Sequence, residues 1–343
     1  MNSIDIRLVS QEDVARIFEN NADLSFEIIE DALTKYSKGE VIFPDKISQI
    51  FDQDTQNRIN CMPATILSDN VSGLKWVSVF PTNAKKGIMN VTGVMVLSEI
   101  STGFPIAIID GTMCTKLRTA SVGCVAAKYL APSVVKKVGF IGAGEEAKMH
   151  YALLKHMFPT IDECRVCSRT HESEIKFINT FREITPDVKF IDCKNDSSIA
   201  ADVDIIVTAI SGQSPVLKTE DVRKGSLYIH VGGWEDEYGV ALKADKIVCD
   251  NWEASKHRTQ TICRMYKEGI LKDENIYANL DEIITGNKKG RTSDEEFIYF
   301  NSVGLSFIDL NYANCIYQKS LDLGLGCTVN MATENWEDYA KII

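Results

Sequence analysis

From Val134 onward the chain falls into a strand–helix–strand rhythm, and no other feature of the sequence limits the possible folds as tightly. KKVGFIG (136–142) is a short apolar run, and EEAKMHYALLKHMF (145–158) sets Ala147, Tyr151, Leu154 and Phe158 on one helical face. CRVCS, VKFIDC, DIIVTAIS, SLYIHVGG and DKIVCDNW follow as further strand-length runs with helical or turn-rich connections. Such alternation predicts a parallel sheet wrapped by helices, with ligands bound at the carboxyl ends of its strands.

The first third reads differently. Helical spacing runs through residues 11–37, with Phe26, Ile29, Ala32 and Leu33 on one side and Gly39 as the stop. RINCMPATI, VSGLKWVSVF, NVTGVMVLSE and FPIAIIDG are strand-like, and Pro81, Asn83, Gly103 and Gly111 bound them as turns of an antiparallel sheet. CTKLRTASVGCVAAKYLA is a helix of small residues closed by Pro132. After residue 303, GLSFIDLNYANCIYQKSLDLG has helical spacing and no strand to partner it. Packed back on the first domain, it makes that domain discontinuous. The expected fold class is α/β. A Rossmann-type doubly wound parallel sheet covers 123–312, and a discontinuous α+β domain combines 1–122 with 313–343.

Composition narrows the partners. At 343 residues, 45% hydrophobic and 25% charged, the chain can bury two cores. Its net charge of −11 repels nucleic acid and anionic membranes. No apolar run reaches spanning length, and Asp5, Arg7, Glu12 and Asp13 stand where an export signal needs an unbroken apolar stretch. A soluble cytoplasmic protein is expected, with neither nucleic acid nor membrane as partner. The ten cysteines then read as thiols. Cys164 and Cys167 have CxxC spacing, but no second pair or nearby histidine supports zinc or redox chemistry, so they are read as strand packing. The five histidines form no ligand cluster, and no metal site is expected.

The motif with the clearest chemistry is Gly142-Ala143-Gly144-Glu145-Glu146-Ala147, which follows an apolar strand and opens a helix. Gly142 permits the tight turn, Gly144 lets backbone approach a pyrophosphate, and Ala147 allows close helix–strand packing. This predicts a dinucleotide site. An NAD site usually places an acid at the end of the second strand, where it binds the ribose 2′-hydroxyl. Here that position reads Ser168-Arg169-Thr170, with no carboxylate to repel a 2′-phosphate and an arginine to pair with one. NADP(H) is favoured, with NAD(H) the alternative if Arg169 only solvates its loop. Three further cations need partners if buried. Lys75 lies inside the strand GLKWVSVF, on the opposite side from Trp76; Lys46 lies in FPDKISQIF; and Arg118 interrupts the small-residue helix. Either a substrate carboxylate or an internal ion pair would satisfy each of them.

KLRTASVGCVAAKYLA, VGFIGAGEEA, HVGG and GRTSDEEFIYFNSVGLSFIDL, in that order, resemble the ornithine cyclodeaminase/mu-crystallin family over nearly the whole chain. The resemblance implies a homodimer, a substrate-binding and dimerisation domain built from both chain ends, and oxidation of amino acids or reduction of imines with NAD(P)(H). It also implies that Lys46, Lys75 and Arg118 hold the substrate carboxylate. Arg118, Thr119, Gly142, Gly144, Glu145, Ala147, Ser168, Arg169, Thr170, Thr208, Ala209, Val231 and Val303 would then line the cofactor. One motif departs from the family. Ornithine cyclodeaminases follow VGG with an aspartate that handles the substrate amine, whereas this chain continues Trp234-Glu235-Asp236-Glu237. That resembles the branch that cleaves an amino-acid adduct to release 2,3-diaminopropionate.

The expectation is therefore an NAD(P)-dependent oxidoreductase acting at the Cα–N bond of an amino acid. Glu235, then Asp236, serves as the acid/base, with Lys75 as a catalytic and positioning cation. Two rivals stand beside this reading, and a solvated acidic turn at 235–237 would favour the second. One is an ammonia-releasing ornithine or lysine cyclodeaminase. The other is a non-catalytic NADPH-binding protein of the crystallin kind.

Overall fold

A computed structural model describes residues 3–210, 212–333 and 341–342, so 334–340 and 343 of the expected C-terminal segment lie outside the described residues. In chain order the first elements are β1 (Ser3–Val9), α1 (Gln11–Phe18), α2 (Ala22–Ser37), β2 (Val41–Ile42), β3 (Ile47–Ile50), β4 (Arg58–Ile66), β5 (Val71–Val79), β6 (Val91–Glu99), β7 (Pro105–Asp110) and α3 (Gly111–Leu130). Next come β8 (Lys137–Ile141), α4 (Glu145–Met157), β9 (Glu163–Cys167), α5 (His171–Phe181), β10 (Lys189–Asp192), α6 (Ser197–Ala201), β11 (Ile205–Thr208), β12 (Gln213–Leu217) and β13 (Leu227–His230). The rest are β14 (Trp234–Asp236), α7 (Tyr238–Leu242), β15 (Lys246–Cys249), α8 (Trp252–Ser255), α9 (Thr261–Lys267), β16 (Ala278–Asn279), α10 (Leu280–Ile284), β17 (Ile298–Asn301), α11 (Ser306–Asp322) and β18 (Cys327–Thr333).

The single helix expected over 11–37 is two. Asn20 takes φ +55, a left-handed value that asparagine tolerates, and breaks the run. Ser10 starts α1 through a capping box, accepting from the Asp13 N–H while Asp13 accepts from the Ser10 N–H. Gly39, at φ +74, follows the end of α2.

The chain folds as two compact units, one of Met1–Ile28, Lys38–Thr115 and Ser306–Ile343, the other of Ile29–Ser37 and Lys116–Leu305. The expected boundaries at 122/123 and 312/313 thus move to 115/116 and 305/306. The later one moves because α11 packs on β4, β5 and β6 from its first turn, where Asp309 reaches Lys75.

In the first unit the strands are ordered β18-β1-β7-β6-β5-β4-β2, with β3 also on β4. Every pairing is antiparallel except β1 with β7. Strand alternation sorts the faces. On β5, Lys75 is 2% exposed and Trp76 39%. The Lys75 face, with Met62 and Met95, lies under α11. The opposite face carries one apolar row in register, Pro63–Leu74–Val96–Ile108–Leu8, crossing five strands.

The second unit holds a wholly parallel sheet ordered β10-β9-β8-β11-β13-β17-β15-β16. β11, β13, β15 and β17 are buried at every residue, as strands covered on both faces must be. The chain builds outward from β8 to β10 on one side, then returns to lay β11 on the other. The switch in direction therefore falls between β8 and β11, where an open α/β sheet offers a crevice for ligand. Cys164 and Cys167 are buried in β9, and all ten cysteines are free. Among the described residues no helix is long and apolar enough to cross a membrane.

Candidate functional site

β8 delivers Gly142 to the switch point at φ +109. A Cβ there would collide with the Ala209 carbonyl just past β11, so the close approach of the two strand ends requires glycine. The Gly142 N–H donates to Cys167 O at 2.8 Å, tying in the end of β9 as well. Gly144 has extended backbone and caps α4 with no side-chain hydrogen bond. A Cβ on Gly144 would meet nothing within 4 Å, which leaves open space in front of the helix N–H groups. That cradle fits a pyrophosphate. Ala147 is fully buried, and Glu145 in the first turn lies 3.2 Å from Lys148 and 3.7 Å from Lys116.

At the end of β9, the Ser168 hydroxyl donates to Thr170 O at 2.8 Å, and Thr170 shares a 2.7 Å hydrogen bond with Ser173. These bonds shape a tight entry into α5. Arg169 is exposed at its tip and makes no ion pair among the described residues.

β11 and β13 end in a closed polar network. Thr208 is fully buried; its hydroxyl donates to Glu235 Oε2 at 2.6 Å and lies 2.8 Å from the Tyr228 hydroxyl. Glu235 Oε2 also accepts from Gly232 N at 2.8 Å, and Oε1 accepts from Ile210 N at 2.6 Å. Asp236 Oδ1 accepts from Thr261 Oγ1 at 2.6 Å, Tyr299 OH at 3.2 Å and Tyr228 OH at 3.3 Å. His230 Nε2 lies 3.5 Å from Asp236 and 3.6 Å from Glu235. Burial pushes the Asp236 carboxyl up to about 6, with His230 pulling the other way.

This arrangement bears on the expectation for the acid/base. Glu235 and Asp236 are both 0% exposed, so neither belongs to a solvated turn and neither faces an open cleft. The oxygens of Glu235 already accept three short hydrogen bonds. Its carboxylate braces the mouths of β11 and β13. Only Glu237 is exposed, and it accepts from the Thr219 backbone and hydroxyl at 2.9 and 2.8 Å.

Arg118 and Thr119 are buried in α3. Gly304 stands at φ +78, and the Arg118 guanidinium fills the space its Cβ would need. Asp250 shapes that turn, since its Oδ2 accepts from Val303 N at 2.7 Å, Gly304 N at 3.0 Å and Ser302 Oγ at 3.2 Å. Val303, Val231 and Ala209 are half-buried at their strand ends. In the first unit, Lys75 Nζ lies 2.6 Å from Asp309 Oδ2, with both side chains buried, so an internal ion pair is present. Lys46 is half-buried in the connection between β2 and β3.

The family model for ornithine cyclodeaminase/mu-crystallin matches residues 7–323. The chain belongs to this family. An N-((2S)-2-amino-2-carboxyethyl)-L-glutamate dehydrogenase of Staphylococcus aureus is 26% identical over 330 residues, 94% of this chain and 98% of the relative. Among solved structures, Thermococcus litoralis Δ1-pyrroline-2-carboxylate reductase in complex with NADH and L-proline is 28% identical. It covers 94% of this chain and 100% of its own, with a TM-score of 0.89. An archaeal alanine dehydrogenase dimer with bound NAD is 29% identical, covers 96% and 100%, and has a TM-score of 0.87.

Within the ornithine cyclodeaminase/mu-crystallin family pattern, residue types alone miss four groups that the fold brings into play: Glu174, His230, Asp250 and Asp309. Each is buried. Glu174, Asp250 and Asp309 hold partners distant in sequence, so no local motif marks them, whereas His230 lies in HVGG, close in sequence to the Asp236 it faces. The nearest hint is the alternation of β5, which turns Lys75 inward and so demands a buried anion.

Proposed function

We propose that this protein is a nicotinamide-dependent oxidoreductase acting at the Cα–N bond of an amino acid or amino-acid adduct, or reducing the corresponding imine. One observation carries the reading. A glycine turn with an uncapped helix start lies at the direction switch of a parallel sheet, in a chain of the ornithine cyclodeaminase/mu-crystallin family. When bound, a nicotinamide supplies or accepts the hydride at the substrate Cα. The chain supplies charge and orientation. Gly142, Gly144 and the α4 N–H groups receive the pyrophosphate, with Thr119, Glu145, Thr208, Ala209, Val231 and Val303 around the rest of the cofactor. Arg118, fixed against Gly304, binds the substrate carboxylate, and Lys75 and Lys46 are further carboxylate contacts. Glu235 enters as the brace of the β11 and β13 mouths rather than as the base.

NADP(H) is the preferred cofactor in this proposal, because Ser168-Arg169-Thr170 contains no acid and its arginine is exposed. Arg169→Asp should weaken NADPH roughly ten- to a hundredfold, the range of a charge-assisted contact, and NADH much less. Tighter NADH binding by the unmutated protein would refute the preference. The protein works as a homodimer through the open face of the first sheet, where Trp76 and Val94 are 39% and 41% exposed beside the apolar row. Ten free thiols suit the cytoplasm. The test of activity follows NADPH and NADH absorbance across cyclic imines, keto acids with amines, amino acids and an aminocarboxyethyl-glutamate adduct. Ammonia release from ornithine or lysine with no net change in the cofactor would support the cyclodeaminase instead.

A further inference from the structure

Glu174 lies in the first turns of α5, and its side chain is fully buried. Three backbone N–H groups from two strand mouths converge on its carboxylate. Oε1 accepts from Ser168 N at 2.8 Å and Asn195 N at 3.0 Å, and Oε2 accepts from Lys194 N at 3.0 Å. His171 Nδ1 lies 3.2 Å from Oε2, and its Nε2 lies 3.6 Å from Asp192 at the end of β10. His171, Glu174 and Asp192 have the residue types of a cation site. The Glu174 oxygens, however, are turned to N–H donors, which marks a brace for backbone.

The backbone it holds is unusual. Lys194 and Asn195 are consecutive left-handed residues at φ +51 and +69. Lysine gains nothing locally from that conformation, so surrounding structure must impose it. Here the imposing group is Glu174, because both strained residues donate their N–H to it. While the brace is buried, the side chains beside it are not. Arg169 and Lys194 are both exposed, from bends that follow the adjacent strands β9 and β10. The buried carboxylate holds the backbone of Lys194 itself and of Ser168, the residue before Arg169, without competing for the two cations' charge at the surface.

We propose that Glu174 is the positioning residue of the cofactor's adenosine end, and that it presents Lys194 together with Arg169 to a 2′-phosphorylated ribose. This rests on the NADP(H) reading above and adds to it a second cation and the group that aims both. Glutamine at 174 keeps the volume but replaces one acceptor with a donor, so at least one of the three N–H groups then faces another N–H.

The test is binding to the full-length protein, measured by calorimetry with 2′,5′-ADP, 5′-AMP, NADPH and reduced nicotinamide mononucleotide. Lys194→Ala should weaken 2′,5′-ADP and NADPH about three- to tenfold and leave 5′-AMP within about twofold, as expected for one exposed charge-assisted contact. Glu174→Gln should weaken 2′,5′-ADP about tenfold or more, since both cations lose their aim, and leave the mononucleotide, which has no adenosine half, within about twofold. In an Arg169→Ala, Lys194→Ala background, Glu174→Gln should add little further loss for 2′,5′-ADP. If Glu174→Gln does not fold, Glu174→Asp, which withdraws the charge by one methylene, is read by the same comparison.

Equal loss of the mononucleotide and 2′,5′-ADP, or no loss of either, overturns the inference. If the unmutated protein binds 5′-AMP as tightly as 2′,5′-ADP, the NADP(H) reading and the phosphate role of Lys194 fail together. Glu174 as a positioning residue then stands only if Glu174→Gln still weakens 5′-AMP relative to the mononucleotide.

Discussion

Glu235→Gln separates two roles for the same carboxylate. In the structure Glu235 accepts from Ile210 N, Thr208 Oγ1 and Gly232 N at 2.6, 2.6 and 2.8 Å, with no exposure to solvent. Glutamine is nearly isosteric, yet its NH₂ cannot accept, so at least one of these bonds is lost and a donor is left facing a donor. A hydrogen bond to a charged group contributes about 1.5–3 kcal/mol, and a stranded buried N–H adds about 1 kcal/mol or more. Relief of repulsion with Asp236, whose carboxyl is raised by burial first and by Glu235 among the lesser causes, offsets part of this. The net expectation is a loss of about 2–4 kcal/mol. For a unit of this size that lowers Tm by roughly 4–16 °C. Scanning calorimetry on the full-length protein, paired with NADPH titration and steady-state rates, checks it. A variant that unfolds within about 0.5 kcal/mol of the unmutated protein, yet turns over 10²-fold slower or worse, would refute the brace. The carboxylate would then be touching the reacting atoms as the base.

Three more expectations follow from buried charge and exposed apolar surface. Lys75→Met removes the buried cation paired with Asp309 and should cost about 3–5 kcal/mol, whereas Lys75→Met with Asp309→Leu should recover most of that. If Lys75 also binds substrate, the stable double variant still shows a raised KM and lowered kcat; full activity would leave the pair purely structural. The Asp236 carboxyl is raised to about 6 from 3.8, so the folded state favours its protonated form. Its contribution to stability is therefore greatest below pH 3.8 and declines by about 3 kcal/mol as pH rises to about 6. Denaturant unfolding between those limits should show this slope flattened in Asp236→Asn, and an unchanged slope would contradict the assignment. Val94→Glu places a charge on the open sheet face and should turn a dimer into a monomer by light scattering. A persistent dimer would move the interface elsewhere.

What sequence alone determines here is periodic or punctuated. The strands at 58–66, 71–79 and 91–99, the helices at 145–157 and 306–322, and the parallel character of the second sheet follow from side-chain period and turn residues. Those features are decided within a few residues of one another. The glycine turn is legible because Gly142 takes φ +109 where strand meets helix, a conformation that favours glycine, although the Ala209 carbonyl that also excludes a side chain there is supplied by the fold. The break at Asn20 is local too, but a single left-handed residue leaves the apolar spacing on either side intact and so escapes a reading by period.

The roles of the charged residues are another matter. Alternation turns Lys75 inward, but only the packing of α11 on β5 supplies Asp309, more than two hundred residues away, as its partner. Glu235 and Asp236 sit in an acidic stretch that reads either as the acid/base of a site or as a solvated turn, and the tertiary structure buries both against Thr208, Tyr228 and Tyr299 and leaves Glu237 of the three in solvent. Glu174 has no local signature, because its three N–H partners come from two different strand ends. A hydrogen bond or a buried charge costs or stabilises according to what surrounds it in space. Residue order fixes that surrounding only after the sheet has assembled.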